Sequence, residues 1–310
     1  MRPFCHNAGR GPKKLATNAM FADFMALFSI LSDALRVTID SELAGRVLGL
    51  SFAHRELFVG PEVNAANFGS TYWTSPQSAW GWPPLAAIDQ APFDVVNESP
   101  LTLRGPEAIV DGKKVRLTKV FKPVVGKSAL DVEYHLENLD SRAMNVAGWE
   151  ISRVEPRGLT FYPTGQVELT PVPPHGTLAL HREHGWSFFD HASFELGRSA
   201  KVHADGELGV LAHVTAANAR GERVLFLKLF EDTSPASHAP GEGEVEIFAN
   251  EDGAYVEVEV QGAHEEIPPG QKQIFHVRWV LAAVPADVVV EPGSRSLIEF
   301  VERTMAESRS

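Results

Sequence analysis

Three of the six tryptophans of this 310-residue chain fall in one short segment, GSTYWTSPQSAWGWPP, which runs from Gly69 to Pro84. The segment is too rich in Gly, Pro and Ser for a helix, and it lacks the clean alternation of a core strand. Trp73, Trp80 and Trp82 could belong to a loop that folds back over the hydrophobic core. Alternatively, their ring faces and the amide of Gln77 could form one wall of a small-molecule site, where aromatic and polar groups converge on a ligand. The segment alone leaves both interpretations open.

Two other sets of residues suggest chemistry but lack its further requirements. Gly126-Lys127-Ser128 is similar to the end of a phosphate-binding loop, but Phe121 stands where the first glycine belongs and no helix follows, so we predict a turn. Five histidines lie close together in the chain, namely His181, His184, His191, His203 and His213. The first two could bind zinc if their side chains converged. Because no HExxH or carboxylate pattern accompanies them, we expect surface or core histidines and no metal site.

The elements that must position these residues are predicted to be strands. From Leu35 onward the dominant period of the sequence is two, which is typical of half-buried strands in antiparallel sheets. The stretch 255–262, YVEVEVQG, places valines on one face and two glutamates and a glutamine on the other. The stretch 223–230, RVLFLKLF, is apolar on both faces except at Lys228, which predicts a central strand. Pairs such as Asp111-Gly112 mark the turns between strands.

Helix is scarce, and the pattern predicts one mainly β domain, an antiparallel sandwich of large sheets. One helix is predicted near Ala19 to Leu31. Another begins at Ser296, which has capping-box spacing with Glu299, and its apolar face comprises Leu297, Ile298, Val301 and Met305. Because no repeat or long linker forces a further boundary, we predict three parts. They are an N-terminal extension with a short helix over 1–32, the β domain over 33–283 and a C-terminal segment with a helix over 284–310.

Composition argues against several classes of function. The net charge is -12 without a long Lys/Arg run, so a nucleic-acid partner is not expected. The single Cys5 excludes an intrachain disulfide and a CxxC metal site. The apolar run from Phe24 to Ser32 is too short to span a bilayer, and Asp23 beside it argues against an export signal. We therefore expect a cytoplasmic protein, monomeric or homodimeric and without a membrane partner, with export as the alternative.

Several strings resemble the galactose mutarotase-like superfamily, which includes the aldose 1-epimerases, over residues 30–282. They are the opening strands around Gly45-Arg46, the string VEYHLENLDSRAMNVAGWEISRV, and the closing strands around a Pro-Gly turn. The segment 69–84, together with GWEISRVEPRGLTFYP and EVEIFAN, looks like one subfamily of that superfamily. The resemblance implies a β supersandwich whose concave sheet face binds a carbohydrate, without a cofactor.

The resemblance also implies roles for individual residues. Epimerisation needs a base for the proton of the anomeric hydroxyl and an acid for the ring oxygen. The base of the epimerases lies in a Glu-x-Gln string on a late strand, which matches 259–261 and makes Glu259 the candidate. Their acid is a histidine after the Glu-Asn strand, where this chain has Trp149. The residues that could replace that acid are Glu150, Lys201, Lys228 or a displaced histidine.

The candidate site residues therefore form two groups. The catalytic candidates are Glu259 and Glu150, and the substrate-binding candidates are Trp73, Gln77, Trp80, Trp82, Trp149, Arg153, Lys201, Lys228 and Glu246. Glu150 and Arg153 are an odd number of residues apart, so a regular strand points them to opposite faces, and only a bulge or turn at Ser152 brings both to one pocket.

Three functions remain open at this stage. The first is a sugar-binding protein with isomerase or related chemistry through Glu259. The second is a non-catalytic carbohydrate-binding or sensing domain. The third is a structural β domain in which the tryptophan segment only seals the sandwich.

Overall fold

The computed structural model describes residues 27–169 and 175–309. Over these residues the chain forms twenty-one β-strands, two α-helices and three short 3-10 helices. The strands are β1 (Leu27–Ser32), β2 (Leu35–Asp40), β3 (Arg46–Phe52), β4 (Arg55–Glu56), β5 (Ser70–Ser75), β6 (Asp94–Glu98), β7 (Leu101–Val110), β8 (Lys113–Pro123), β9 (Ala129–Asn138), β10 (Met144–Val154), β11 (Gly158–Leu169), β12 (Gly176–Thr177), β13 (His181–Glu183), β14 (Trp186–Asp190), β15 (Ala200–Gly206), β16 (Val210–Thr215), β17 (Val224–Phe230), β18 (Val245–Ala249), β19 (Val256–Gln261), β20 (Glu265–Ile267) and β21 (Lys272–Ala283). The α-helices are α1 (Ala86–Asp89) and α2 (Arg295–Arg309), and the 3-10 helices are Gln77–Ala79, His191–Ser193 and Pro235–Ser237.

The long strands form two antiparallel sheets that enclose a shared core. Sheet 1 has the strand order β1-β2-β3-β5-β10-β19-β18-β15-β11. Sheet 2 has the order β6-β7-β8-β9-β21-β17-β16-β11-β14-β13. Strand β11 belongs to both, because residues 158–163 pair in sheet 2 and the strand pairs with β15 from Thr164 onward. The prediction of a mainly β, antiparallel sandwich is confirmed.

The main core lies between the two sheets, and the period-two pattern of the sequence accounts for it. In β19 the valines Val256, Val258 and Val260 all point into this core and are at most 2% exposed. Strand β17 is buried along its whole length between β16 and β21, as its apolar sequence predicts. The other face of β19 therefore points away from the core, and this face carries the candidate site.

The turn between β7 and β8 has the predicted two-residue form. Val110 pairs with Lys113, and the two residues between them, Asp111 and Gly112, have φ values of 47° and 68°. Both lie in the left-handed region that a type I′ turn requires, which Gly adopts freely and Asp tolerates. Gly126-Lys127-Ser128 likewise lies in the turn between β8 and β9.

Helix α2 covers the outer face of sheet 2 and builds a second apolar cluster there. Leu297, Ile298 and Val301 are buried in this cluster, so the predicted C-terminal helix and its apolar face are confirmed. The predicted capping box is wrong. The hydroxyl of Ser294 accepts the first-turn N–H of Leu297 at 3.3 Å, whereas the hydroxyl of Ser296 binds the preceding loop.

The last residues of the predicted N-terminal helix form a strand instead. Leu27–Ser32 forms β1, which pairs with β2 in a hairpin at the edge of sheet 1. The reason is again a period of two, since Phe28 and Ile30 pack against the main core while Leu27 and Leu31 are exposed. The other residues of that predicted helix lie outside the described residues, and so do the N-terminal residues that bear on export. None of the helices within the described ranges is long and apolar enough to cross a membrane.

A buried ion pair connects the two sheets beneath the candidate site. Glu150 of β10 and Lys228 of β17 approach to 2.6 Å, with side chains 0% and 1% exposed. The indole N–H of Trp279 donates to the second Glu150 oxygen at 2.9 Å, and the Lys228 ammonium donates to the carbonyl of Val258 at 2.6 Å. Burial lowers the pKa of Lys228, while the adjacent Glu150 carboxylate raises it. The pair is therefore well hydrogen-bonded, and each buried charge is compensated only while the other is present.

We predict that Lys228→Met destabilises the protein by about 3–5 kcal/mol, because it leaves the Glu150 carboxylate buried without a countercharge. The double variant Glu150→Gln/Lys228→Met removes both charges and keeps the acceptor for Trp279. It should therefore be more stable than Lys228→Met alone. Urea unfolding of both single variants and the double variant measures this coupling, and simple additivity of the two changes would contradict it.

Candidate functional site

A cleft of about 390 Å³ lies on the outer face of sheet 1. Its floor is formed by strands β15, β18 and β19, which contribute Lys201, Glu246, Glu257 and Glu259. Glu246 lies directly opposite Glu259 in the antiparallel pairing of β18 with β19. Side chains that are directly opposite, or two apart on one strand, share a face of the sheet. The polar residues of β18 and β19 therefore lie together on the face of sheet 1 that is opposite to the core valines.

The tryptophan segment forms a wall of this cleft. The Trp73 ring contacts the rings of Trp80, Trp82 and Trp149 edge to face, with centroid distances of 5.9, 5.8 and 5.2 Å. Trp73 is 5% exposed, whereas Trp82 is 61% exposed. Trp82 therefore presents its indole to the cleft and to solvent, whereas Trp73 is buried.

Buried polar contacts fix the wall in place. The indole N–H of Trp73 donates to Asp89 at 2.9 Å, and Asp89 in turn pairs with Arg46 at 2.9 Å. The carboxylate of Glu242 accepts the backbone N–H of Gln77 at 2.6 Å and the hydroxyl of Ser75. These contacts hold the first half of the segment, at Trp73, Ser75 and Gln77, against the residues beneath it.

The three floor glutamates differ in their partners. Glu246 pairs with Lys201 at 2.7 Å, and Glu257 pairs with the fully buried Arg153 at 2.8 Å. Glu259 is 1% exposed, yet neither of its carboxylate oxygens has a hydrogen-bond partner. Buried polar groups in proteins are nearly always hydrogen-bonded, and an unpaired one is costly. Glu259 is therefore a buried acceptor that the described residues leave unused.

The surroundings of Glu259 favour its protonated form. Burial raises the pKa of Glu259 well above its usual value, the carboxylates of Glu246 and Glu257 raise it further, and Lys201 and Arg153 oppose the shift. Burial also raises the pKa values of Glu246 and Glu257, but each of these carboxylates touches its own cation. Among the floor carboxyls, Glu259 therefore keeps a proton most readily.

His203 does not provide an additional cation. Its Nδ1 atom lies 3.3 Å from the second oxygen of Glu246, but the two atoms do not form a hydrogen bond. Burial lowers the pKa of His203 to about 3, and nearby Lys201 acts in the same direction. The imidazole is thus neutral at physiological pH, and the second oxygen of Glu246 remains an unpartnered acceptor.

The structure brings together most of the residues that the sequence singled out. Those that line the cleft are Trp73, Gln77, Trp82, Trp149, Lys201, Glu246 and Glu259. Trp80 packs behind Trp73 with its indole N–H donating to the carbonyl of Thr74, and Arg153 lies beneath Glu257.

The structure places Glu150 and Lys228 elsewhere, and their assignment to the cleft is wrong. Strand β10 runs through Ser152 in continuous register with β5 and β19, without the bulge that would be needed. Alternation therefore points Glu150 to the core side and Arg153 to the outer face. Lys228, on β17 of the opposite sheet, meets Glu150 in the core.

Sequence reasoning missed several residues of the cleft. They are Asn67, His175, Ser199, Phe248, Asn250, Glu251, Tyr255 and Glu257. The alternation of β19 carried a signal for Glu257, because it shares a face with Glu259. Asn67 and His175 come from irregular segments that no periodicity places. Asn67 donates to the Tyr255 hydroxyl at 3.1 Å, and His175 packs edge to face on Phe248. Within the described ranges, no group of three His, Cys, Asp or Glu residues could hold a metal ion.

Comparison with known proteins supports the fold assignment. No model of a protein family matches this chain, and no curated protein matches it. A galactose mutarotase-like protein from Lactobacillus casei superposes with a TM-score of 0.55 at 12% identity, covering 83% of this chain and 100% of its own. A galactose mutarotase related enzyme from Lactobacillus acidophilus gives 0.51 at 11% identity, covering 86% and 99%. A protein from Synechocystis gives 0.56 at 12% identity, also covering 86% and 99%. The chain therefore has the galactose mutarotase-like fold, as its sequence resemblance predicted.

The raised pKa of Glu259 makes stability depend on pH in a defined direction. Its folded pKa lies above the unfolded value of 4.5, so the folded state retains a proton that the unfolded state releases. Between these two pKa values the free energy of unfolding falls as pH rises, by up to about 1.4 kcal/mol per pH unit for one such group. We predict that Glu259→Gln reduces this fall, so that the variant gains stability relative to wild type as pH rises above 4.5.

Urea unfolding at a series of pH values measures this difference. Glu266→Gln, at an exposed position of β20, is the matched control and should keep the wild-type pH dependence. Parallel pH profiles for wild type and Glu259→Gln would contradict the prediction.

Proposed function

We propose that this protein binds a small carbohydrate in the cleft on sheet 1 and that Glu259 exchanges protons with the bound sugar in an aldose 1-epimerase-like reaction. The observation that carries the proposal is the Glu259 carboxyl, buried beside aromatic rings with both oxygens unpartnered. The names of the structural neighbours, which concern galactose mutarotases, add support from the fold. The single Cys5 favours a cytoplasmic setting.

The walls and size of the cleft suit a single sugar ring. A volume of about 390 Å³ lies at the lower end of the range for small-molecule sites, which favours a monosaccharide over a longer chain. The exposed face of Trp82 offers a platform for the C–H face of a pyranose. Gln77, Asn67 and Asn250 contribute amide groups around the same cleft, where they can bind hydroxyls.

The proposed reaction requires two proton transfers. A base takes the proton of the anomeric hydroxyl, the bond from C1 to the ring oxygen breaks as the carbonyl forms, and an acid protonates the ring oxygen. After rotation about the bond from C1 to C2, the ring closes on the other face and both protons return. A general base is most effective when its pKa lies near the working pH, and burial raises the pKa of Glu259 in that direction.

The acid can come from two groups of the cleft, Lys201 and His175. Burial lowers the pKa of Lys201, but the adjacent Glu246 carboxylate outweighs burial and the net shift is upward, so this ammonium gives up its proton reluctantly. Burial lowers the pKa of His175, so its imidazole is neutral near pH 7 and can donate only its N–H. Both are weaker acids than an imidazolium with an ordinary pKa.

A second function, a non-catalytic carbohydrate-binding or sensing domain, follows from Trp149. By the sequence resemblance, Trp149 stands where the epimerases carry their acidic histidine, and an indole cannot donate a proton to an ether oxygen. The Trp149 N–H is buried without a hydrogen-bond partner, so it can bind a ligand oxygen in place of protonating it. Polarimetry separates the two functions.

We predict that Glu259→Gln still binds the sugar but slows mutarotation by about 10²–10⁴-fold, the usual contribution of general acid–base catalysis. The substitution keeps the shape of the side chain and removes its basicity. Polarimetry of freshly dissolved α-anomers measures the rate, with Glu266→Gln as the control. A wild-type protein that binds sugar without accelerating mutarotation would favour the non-catalytic function. A fully active Glu259→Gln variant would remove Glu259 from the reaction.

We predict that Trp82→Ala weakens sugar binding by about 2–10-fold, in line with the worth of one ring contact. Its effect on the free energy of unfolding should be small, because 61% of this side chain is exposed. Trp82→Phe keeps a ring face and should retain most of the affinity. Tryptophan fluorescence titration and urea unfolding provide the two measurements. A large loss of stability with unchanged affinity would instead support a sealing role for the segment.

A further inference from the structure

The charged groups on the floor of the cleft pair one to one, with one exception. Lys201 neutralises Glu246 at 2.7 Å, and Arg153 neutralises Glu257 at 2.8 Å. Glu259 lies between these pairs, opposite Glu246 and two residues from Glu257, and no cation of the described chain contacts it. The floor therefore has three carboxyls and two cations, and Glu259, the carboxyl without a paired cation, lines the cleft.

The unused hydrogen-bonding atoms around the floor include three carboxylate oxygens, together with the Trp149 N–H and one Arg153 nitrogen as donors. Both oxygens of Glu259 and the second oxygen of Glu246 are buried without a partner. A ligand that satisfies them must donate several hydrogen bonds at one place. Hydrogen bonds from an ammonium to a carboxylate are roughly twice as strong as neutral ones, so an ammonium is the donor that suits this set best.

Aromatic rings line the same cleft as these acceptors. Trp73, Trp82, Trp149, Phe248 and Tyr255 all line the cleft. The face of an aromatic ring attracts a cation, and cages of several rings are a recurring way to bind ammonium groups. The same rings are also compatible with the apolar face of a sugar. Rings and carboxyls together thus favour a ligand that is both a sugar and a cation.

We propose that the substrate is an amino sugar, a 2-amino-2-deoxyaldose, whose ammonium group is the missing partner of Glu259. This inference rests on the proposed function and names its substrate class. In a 2-amino-2-deoxyaldose the ammonium and the anomeric hydroxyl lie on adjacent carbons. One oxygen of Glu259 then accepts from the ammonium while the other accepts from the anomeric hydroxyl, so both unpartnered oxygens are used.

The charge of the cleft also argues against acidic sugars. Glu251 lies at the cleft in addition to the three floor glutamates, which gives four carboxyls against the cations Lys201 and Arg153. Phosphate or carboxylate on a sugar would meet like charges here, and like-charge contacts suppress binding. Sugar phosphates and uronic acids should therefore bind more weakly than the neutral parent sugar.

Binding of an ammonium should release a proton. In the free protein Glu246 on β18 and Glu257 on β19 favour protonation of Glu259, while Lys201 on β15, Arg153 on β10 and Lys228 on β17 oppose it. An ammonium beside Glu259 adds an opposing charge and drives its proton off. Affinity for the amino sugar should consequently rise with pH until Glu259 is ionised in the free protein and then fall as the sugar ammonium loses its own proton. Affinity for a neutral sugar should depend less on pH.

Titration calorimetry at pH 7 with four ligands tests the proposal. They are glucosamine, glucose, N-acetylglucosamine and glucose 6-phosphate, with the galactose series titrated in parallel. We expect the amino sugar to bind at least about tenfold more tightly than its neutral parent, as a charge-assisted contact implies. The N-acetyl sugar, which has the same nitrogen without its charge, should gain none of this. Titrations in two buffers of different ionisation enthalpy should show proton release with glucosamine alone.

The Glu259→Gln variant tests whether Glu259 causes the preference for the amino sugar. It should reduce the preference for the amino sugar to within about threefold, because the amide is an uncharged acceptor, while Glu266→Gln keeps the full preference. Circular dichroism confirms that both variants are folded. If glucose or glucose 6-phosphate binds as tightly as glucosamine, the inference is wrong while the proposed function stands. If none of the sugars binds, the proposed function fails, and with it the inference.

Discussion

The antiparallel pairing of β18 with β19 brings buried carboxyl groups together, and neighbouring cations of the cleft compensate for part of their negative charge. It sets Glu246 opposite Glu259 and keeps Glu257 on the same face, so three carboxyls are buried together. In a low-dielectric setting such a group cannot ionise fully without nearby cations. Lys201 from β15 and Arg153 from β10 arrive from the strands on either side of this pair. The order of strands in sheet 1 therefore determines which carboxyls are paired with a cation and which one, Glu259, is not.

The tryptophan wall depends on the same arrangement. Trp73 lies opposite Trp149 in the pairing of β5 with β10, and the guanidinium of Arg153 lies 5.3 Å from the Trp73 ring. The ring thus contacts both a cation and its aromatic neighbours. On the other side of β10, Glu150 holds Lys228 and Trp279 in the core. Strand β10 consequently carries one member of a buried ion pair on its inner face and part of the wall of the candidate site on its outer face.

The sequence revealed the fold more fully than the site, and the reasons are physical. Alternation in β19 and the uniform apolarity of β17 reflect burial directly, so strands, faces and the central position of β17 could be predicted. The same alternation predicts that Glu150 and Arg153 point to opposite faces of β10, and the structure has this arrangement, with Glu150 on the core side. Sequence spacing does not show which face of β10 meets the core. Glu150 lies on the core face, where it contacts Lys228 and Trp279 of the opposite sheet. Residues 27–31, at the end of the predicted N-terminal helix, form strand β1 instead, because Phe28 and Ile30 pack on the core while Leu27 and Leu31 are exposed.

Selective carbon-13 NMR of the glutamate side-chain carboxyls, titrated with pH, tests the central claim most directly. The Glu259 resonance can be assigned by its absence in Glu259→Gln. The account predicts that this resonance titrates well above the ordinary range for glutamate in the free protein. It also predicts that saturating glucosamine shifts the titration to lower pH, because the ammonium stabilises the carboxylate. A Glu259 resonance that titrates near 4.5 and does not respond to glucosamine would contradict the assignment of this carboxyl as the unpaired centre of the site.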